Sequence, residues 1–154
     1  MTKTMNVVGS DIEKKPHKKA MKKKFIFTVG KRKSAVARAV ATPGSGIVKI
    51  NKKPLDIIEP EPVRLFMSEP LLIAGDAAKD MDINVNVSGG GVFGQAEAAR
   101  QAIAKALVEK NKSLKNEFLK YDRALLIPDA RRNEPHKPSR SKQGPRRHKQ
   151  RSKR

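Results

Sequence analysis

The clearest pattern in the chain is a strict alternation of apolar and polar side chains over residues 82–88. Ile83, Val85 and Val87 are separated there by short polar side chains. A period of two predicts a strand with one buried face. Three consecutive glycines at residues 89–91 predict where this strand ends.

A helix is predicted directly after these glycines. Steps of three and four residues bring a set of apolar side chains to one side: Ala96, Ala99, Ile103, Ala106 and Leu107. The other side is predicted to carry Glu97, Gln101, Lys105 and Glu109. Such a helix should pack its apolar stripe on the sheet.

Further strands are predicted before this unit. Phe25, Phe27 and Val29 alternate with smaller or polar residues, which predicts a strand whose phenylalanine face is buried. The alanine-rich residues 34–42 fit a helix or a strand, but two valines and the turn residues that follow favour a strand. We expect that strand to form a hairpin with residues 47–50.

The remaining signals are helical. Residues 63–68 predict a short helix with Pro62 in its first turn, and Ser113 is an N-cap candidate for a helix that ends near Tyr121. The apolar residues 124–127 then lead to Pro128, where the domain is predicted to close. Hairpin strands mixed with helices indicate an α+β or α/β sandwich with helices on one sheet face.

Charge divides the chain into three parts. The net charge is +20, and residues 129–154 hold seven Arg and four Lys against two acids, with Ala130 as their one hydrophobic residue. Residues 1–24 hold eight Lys against two acids. Neither end can bury an apolar face, so we expect a disordered Lys-rich extension (1–24), one globular domain (25–128) and an extended basic arm (129–154).

Composition narrows the function classes. Eleven cations spread along an Arg-rich arm suit the regularly spaced phosphates of nucleic acid, because a guanidinium can contact two oxygens at once. The chain has no cysteine, which excludes disulfides and thiolate chemistry. It shows no membrane-length apolar run and no secretory signal, and Asp11 and Glu13 argue against an organelle transit peptide. We therefore expect a soluble intracellular protein.

The glycine segment is the one candidate for an enzyme site. Residues 89–94 satisfy the glycine spacing of a dinucleotide or phosphate loop, but Gln95 and Ala96 stand where a phosphate loop needs Lys and Ser or Thr. The ribose-binding acid of a dinucleotide site is also missing. Two interpretations remain: backbone amides that approach an RNA phosphate, or a tight turn without a ligand.

Other candidate sites are weaker. The cations at residues 31–33 read alone as a solvated loop, whereas beside Arg38 and two basic ends they indicate a phosphate-binding surface. Three scattered histidines and an acidic cluster at residues 76–82 lack metal-ligand spacing. The five Phe and one Tyr fall mostly at apparent core positions, so we expect little base stacking.

Three segments in order resemble the S-nine family of small-subunit ribosomal proteins. They are residues 30–38 (GKRKSAVAR), residues 87–96 (VSGGGVFGQA) and residues 129–132 (DARR) with a tail that ends Ser152-Lys153-Arg154. Residues 69–72 (EPLL) with 74–76 (AGD), and residues 121–123 (YDR), look more like the archaeal and eukaryotic branch than the bacterial one. An archaeal source is preferred, although the final three residues look bacterial. The resemblance implies an α+β fold like the second domain of ribosomal protein S-five, a β-α-β sandwich with extended basic arms.

The resemblance also implies partners. It places the chain in the head of the small subunit, bound to the 3′ region of its rRNA, with neighbouring head proteins and the peptidyl-site tRNA, without a cofactor, metal or enzymatic activity. The implied rRNA-binding residues are Lys31, Arg32, Lys33, Arg38, Gly89, Gly90, Gly91, Gly94, Gln95, Arg131, Arg132, Lys137, Arg140, Lys142, Arg146 and Arg147. The implied tRNA-binding residues are Arg151, Ser152, Lys153 and Arg154.

Two rival functions stay open at this point. A nonspecific protein that compacts nucleic acid would share the charge but would need no glycine turn. A nucleotide-dependent enzyme would use residues 89–94 but lacks the Lys and the magnesium ligand.

Overall fold

The computed structural model describes residues 25–132, so the predictions for residues 1–24 and 133–154 lie outside the described part. The strands are β1 (Ile26–Arg32), β2 (Ala35–Pro43), β3 (Val48–Ile50), β4 (Lys53–Pro54) and β5 (Met81–Ser88). They form one sheet in the order β1-β2-β5-β3-β4. The predicted strand over residues 82–88 is confirmed as β5.

Helices cover one face of this sheet. They are α1 (Glu61–Ala74), α2 (Asp76–Lys79), α3 (Val92–Lys110) and α4 (Leu114–Tyr121), with 3-10 turns at Leu55–Ile57 and Arg123–Leu125. Helix α3 lies on β1, β2 and β5, and α1 packs against α3. The predicted α+β class is therefore confirmed.

Small residues let α3 approach the sheet closely. We call the side of the sheet that α3 covers the inner face; on β2 it consists of Ala35, Ala37, Ala39 and Ala41. A Cβ added to Gly30 of β1 would overlap the carbonyl oxygen of Ala98 in α3. The favoured strand at residues 34–42 is confirmed, because its alanines alternate into this narrow space.

The predicted burial of the phenylalanine face of β1 is wrong. Thr28 and Gly30 face inward, and the Thr28 Oγ1 donates a hydrogen bond to the Ala102 carbonyl at 2.8 Å. Phe25, Phe27 and Val29 are 54%, 71% and 42% exposed. The reason is steric, since the close approach of α3 leaves no room for a phenyl ring on the inner face.

The side turned away from the helices is the outer face. Its centre consists of two rows of side chains that cross β1, β2 and β5. One row is Phe27, Val40 and Asn84, and the other is Val29, Arg38 and Asn86. Neighbouring strands lie about 5 Å apart, so the members of a row are direct neighbours. Among the residues described, this outer face has no covering element.

The predicted hairpin between β2 and residues 47–50 is also wrong. Strand β2 instead pairs antiparallel with β1 through a short turn at residues 33–34, and antiparallel with β5 on its other side. Strand β3 pairs parallel with β5. A local turn signal could not predict this arrangement, because β5 inserts between two strands that are neighbours in sequence.

The predicted helices exist, with different limits and environments. Helix α1 is longer than the predicted residues 63–68 and continues through Pro70, which is buried with Met67 and Ala74. Helix α4 begins at Leu114 as predicted, but the side chain of the N-cap Ser113 makes no capping hydrogen bond.

Gln101 of α3 is buried, contrary to the prediction that it faces away from the apolar stripe. It is only 3% exposed, and its Oε1 accepts a hydrogen bond from the Lys31 amide at 2.9 Å. Its Nε2 donates to the Ala124 carbonyl at 3.4 Å. Polar partners on both sides let α3 bury a wider face than its apolar stripe.

Candidate RNA-binding surface

The turn between β1 and β2 carries three consecutive cations. We call residues 31–34 the cationic tip. Lys33 has a left-handed backbone (φ 53), which allows a turn of only two residues between Arg32 and Ala35. The side chains of Lys31 and Lys33 form no ion pair with any other residue in the range 25–132.

The glycine turn, residues 89–91, lies against this tip. Gly89 and Gly90 have φ of 76 and 69, a region that side chains with a Cβ seldom adopt. A Cβ on Gly89 would also lie 2.5 Å from the Ser34 carbonyl oxygen. The glycines are therefore needed both for the backbone shape and for contact with the tip.

The beginning of α3 is open beside this turn. Gly91 is the N-cap, no side chain caps the helix, and its first turn contains no acid. A Cβ on Gly91 would meet nothing within 4 Å, and Gly91, Val92 and Phe93 are all exposed, so this end of the helix faces solvent. The Gln95 Nε2 donates to the Gly89 carbonyl at 3.1 Å, which means that this side chain braces the turn.

Arg32 joins the tip to the beginning of the arm. Its guanidinium forms ion pairs with Glu97 of α3 and with Asp129. Asp129 also accepts a hydrogen bond from the Arg131 amide at 2.8 Å and from the Arg131 Nε at 2.9 Å. The charge of Arg32 is thus largely balanced by acids of the protein itself, whereas the ammonium groups of Lys31 and Lys33 remain available to bind an anion.

Arg38 lies on a different surface. It is exposed at the centre of the outer face, opposite Val29 on β1 and Asn86 on β5. Lys31 points to the same side two residues further along β1. Nearby, the Lys105 ammonium donates to the Val29 carbonyl at 2.9 Å, and burial, followed by repulsion from Lys31, lowers the pKa of Lys105.

A buried arginine stabilises the helical layer below the arm. The Arg100 guanidinium lies 2.5 Å from Glu69 and 2.8 Å from Asp122, and stacks 4.3 Å above the Phe66 ring. Partial burial is the largest influence on Asp122 and raises its pKa. Hydrogen bonds from Ala124 and Arg100 oppose it, so the pKa of Asp122 is lowered overall.

The structure thus brings most described candidates together at one end of the domain. They are Lys31, Arg32, Lys33, Gly89, Gly90, Gly91, Gly94, Gln95, Arg131 and Arg132. Nine candidates lie outside the described residues: Lys137, Arg140, Lys142, Arg146, Arg147, Arg151, Ser152, Lys153 and Arg154. We call the described set, apart from the isolated Arg38, the basic end.

Sequence reasoning missed the acids that hold Arg32 at the basic end and the exposed phenylalanines of the outer face. Asp129 and Glu97 hold Arg32, and the signal for Asp129 was a lone acid immediately before Arg131 in a basic arm. The exposure of Phe25 and Phe27 could not be predicted from the sequence, because both faces of β1 carry residues that also occur in protein cores.

Within residues 25–132, no cluster of three or more His, Asp or Glu side chains could hold a metal ion. The described helices also include none that is long and apolar enough to span a membrane. The surface that stands out chemically is the basic end, where side-chain cations lie beside the exposed, uncapped beginning of α3. Such a surface is suited to phosphate groups.

A basic α+β domain of this kind is suited to binding nucleic acid. Residues 30–154 match the family described as Ribosomal protein S9/S16. The chain is 50% identical over 131 residues to "Small ribosomal subunit protein uS9" from Methanococcus maripaludis strain C5, covering 84% of this chain and 98% of the relative. The protein of the same name from Methanococcus vannielii gives the same identity and coverage.

The chain therefore belongs to the Ribosomal protein S9/S16 family and is archaeal-like. It is a structural protein of the small ribosomal subunit with a role in translation, and not an enzyme. Its place is the ribosome in the cytoplasm, and rRNA binding is general for the family.

Proposed function

We propose that the basic end binds the 3′ domain of the small-subunit rRNA in the head of the subunit. The observation that carries this proposal is the convergence of three motifs that are distant in sequence. Gly89 contacts Ser34 across the glycine turn, and Arg32 pairs with Asp129 at the beginning of the arm. These contacts join the three motifs in one continuous surface. Unrelated solvated loops would not be expected to make such contacts.

The described residues take different parts in this binding. Lys31, Lys33 and Arg131 supply side-chain charge to phosphates, and the amides after Gly91 supply hydrogen bonds. Arg32 acts by holding the arm against the tip. Arg132 extends the basic end, Arg38 adds positive charge on the outer face, and Gln95 braces the glycine turn beside Gly94.

The arm continues the same binding along the RNA. Its candidates are Lys137, Arg140, Lys142, Arg146 and Arg147, and residues 129–154 together carry 11 basic against 2 acidic side chains. We place the last four residues, 151–154, at the peptidyl-site tRNA. The support is the charge of the arm and its starting point at Asp129, which is fixed to the basic end.

Salt dependence tests the rRNA part of the proposal. If about ten phosphates are neutralised, the affinity of the full chain for a 3′-domain rRNA fragment falls by several orders of magnitude from low to moderate salt. Duplex DNA of equal length is the comparison. A shallow salt slope, or equal affinity for duplex DNA, would favour the nonspecific compacting protein instead.

Truncation tests the tRNA part. Removing residues 152–154 should leave subunit assembly largely intact but weaken retention of tRNA at the peptidyl site. A matched control removes residues 2–4, which also include a lysine, and should change neither. Unchanged tRNA occupancy in particles that carry the shortened arm would remove this assignment.

A further inference from the structure

The outer face combines exposed aromatic rings with cations. Phe25 and Phe27 lie at the edge of the sheet, with ring centroids 6.4 Å apart and ring planes inclined by 31°. They are 54% and 71% exposed, although phenylalanine is normally buried. Two neighbouring rings on one side of a strand form an aromatic platform open to a ligand.

The rest of this face mixes two valines with polar and positive side chains. Phe27 is in a row with Val40 and Asn84, and the next row places Arg38 beside Asn86. Lys31 extends the face towards the cationic tip. The side chains of Arg38, Asn84 and Asn86 make no hydrogen bond or ion pair that the structure records within residues 25–132, so their donors and acceptors face solvent.

The acid on the outer side of β5, Asp82, already has hydrogen-bond partners within the domain. Asp82 accepts hydrogen bonds from the amides of Ser45 and Ile47, at 2.8 and 3.0 Å, which hold its pKa below the usual value. It lies in the row at the far end of the sheet, opposite Thr42. The centre of the outer face therefore carries positive charge without a carboxylate beside it.

We propose that the outer face binds unpaired nucleotides of RNA, with bases stacked on Phe25 and Phe27. Lys31 and Arg38 then contact the phosphates, and Asn84 and Asn86 can hydrogen-bond to base edges. Aromatic rings on an open sheet, flanked by cations, are a general way to bind single-stranded RNA. The proposal rests on the rRNA-binding role and adds to it a second surface that recognises single strands.

The chemistry favours RNA over a protein partner on this face. A protein interface of similar shape would bury an apolar centre and would leave Arg38 in need of an acid. Here the most exposed apolar side chains lie along the edge strand β1, and the cation and both amides lie on the two strands beside it. Nucleotides supply a flat apolar surface, an anion and hydrogen-bonding edges together.

The test compares single-stranded with double-stranded RNA. The full chain is titrated with a 12-nucleotide oligouridine and with a 12-base-pair RNA duplex at several salt concentrations. Replacing both rings, F25L/F27L, keeps the surface apolar but removes stacking. We expect affinity for oligouridine to fall by about tenfold or more, with an unchanged salt slope and unchanged duplex affinity.

Two further variants serve as controls. F25Y/F27Y keeps the rings and should bind oligouridine like the parent chain. L65A/L72A removes exposed apolar side chains from α1 and should have no effect. Thermal unfolding of each variant establishes that the domain is folded.

Several results would overturn the proposal. If F25L/F27L binds oligouridine as well as the parent chain does while the salt slope stays steep, stacking is wrong and the basic end is still supported. Equal losses for oligouridine and duplex would also refute stacking. If F25L/F27L instead releases a neighbouring protein from small subunits without changing RNA affinity, the face is a protein interface. A parent chain that binds neither RNA would contradict the proposed function itself.

Discussion

The two faces of the sheet are built from the same strands but obey different constraints. On the inner face, Gly30 lies so close to α3 that a single added carbon would overlap backbone atoms, and the alanines of β2 are buried beside it. On the outer face, Phe27 and Arg38 extend into solvent. On our proposal, alternate residues of one strand serve folding and binding separately.

This difference teaches where mutations should act. An inner-face change alters the packing of α3 and hence the stability of the whole domain. An outer-face change alters what the domain can bind and leaves its stability nearly unchanged. The following predictions test this separation, beginning with the largest expected effect.

Gly30→Val should destabilise the domain most. Its Cβ would overlap the Ala98 carbonyl oxygen and lie 2.8 Å from the Ala102 amide nitrogen, and neither backbone atom can move without shifting α3. Overpacking of this kind costs about 3 kcal/mol or more of unfolding free energy. Urea unfolding of the full chain measures it.

The matched control is Val29→Ala, one residue away on the outer face. Val29 is 42% exposed, so its loss should cost under about 0.5 kcal/mol. Equal losses for the two variants would mean that the faces do not differ as described.

Arg100→Met should have the next largest effect. Arg100 is 6% exposed and is the shared partner of Glu69 and Asp122, so its removal leaves two partly buried carboxylates without their cation. We expect a loss of about 2 kcal/mol at neutral pH, reduced from the value for a fully buried pair because both acids reach solvent. An unchanged urea midpoint would show that this ion pair does not stabilise the layer.

Asp122→Asn should show a smaller effect that depends on pH. The folded-state pKa of Asp122 is lowered, so its stabilisation is complete above the unfolded pKa of about 3.9 and is lost as pH falls through the folded pKa. The variant should be less stable by about 1 kcal/mol at pH 7. The difference should shrink below about pH 4, which unfolding curves at several pH values can measure.

Arg38→Gln should have the smallest effect on stability and a clear effect on RNA binding. Its side chain is exposed and contributes to no ion pair recorded within residues 25–132, so the unfolding free energy should change by less than about 0.5 kcal/mol. The salt slope of rRNA binding should decrease by about one. A large stability loss with an unchanged slope would contradict the assignment of Arg38 to binding.

The sequence predicts the elements whose periodicity is unambiguous. Strand β5 has apolar residues at every second position, and α3 has an apolar stripe at helical spacing, so both were predicted near their observed limits. The alanine-rich β2 was harder, because its strand conformation depends on the closeness of α3. Pairing of β2 with β5 is nonlocal and left no local signal.

The candidate residues could be selected from the sequence, but the contacts that join them could not. The cations and glycines could be selected from their sequence context, whereas the pairing of Arg32 with Asp129 joins residues 97 positions apart. The orientation of Phe25 and Phe27 depends on which face of β1 packs against α3. The close contact of Gly30 with α3 determines that face.

The most direct test of the whole account is ultraviolet crosslinking of small ribosomal subunits, with the attached peptides and rRNA nucleotides both identified. We predict crosslinks from residues 25–38 and 89–95 to small-subunit rRNA, and none from the exposed side of α4. Crosslinks that come from α4, or crosslinks that avoid both the basic end and the outer face, would contradict the account.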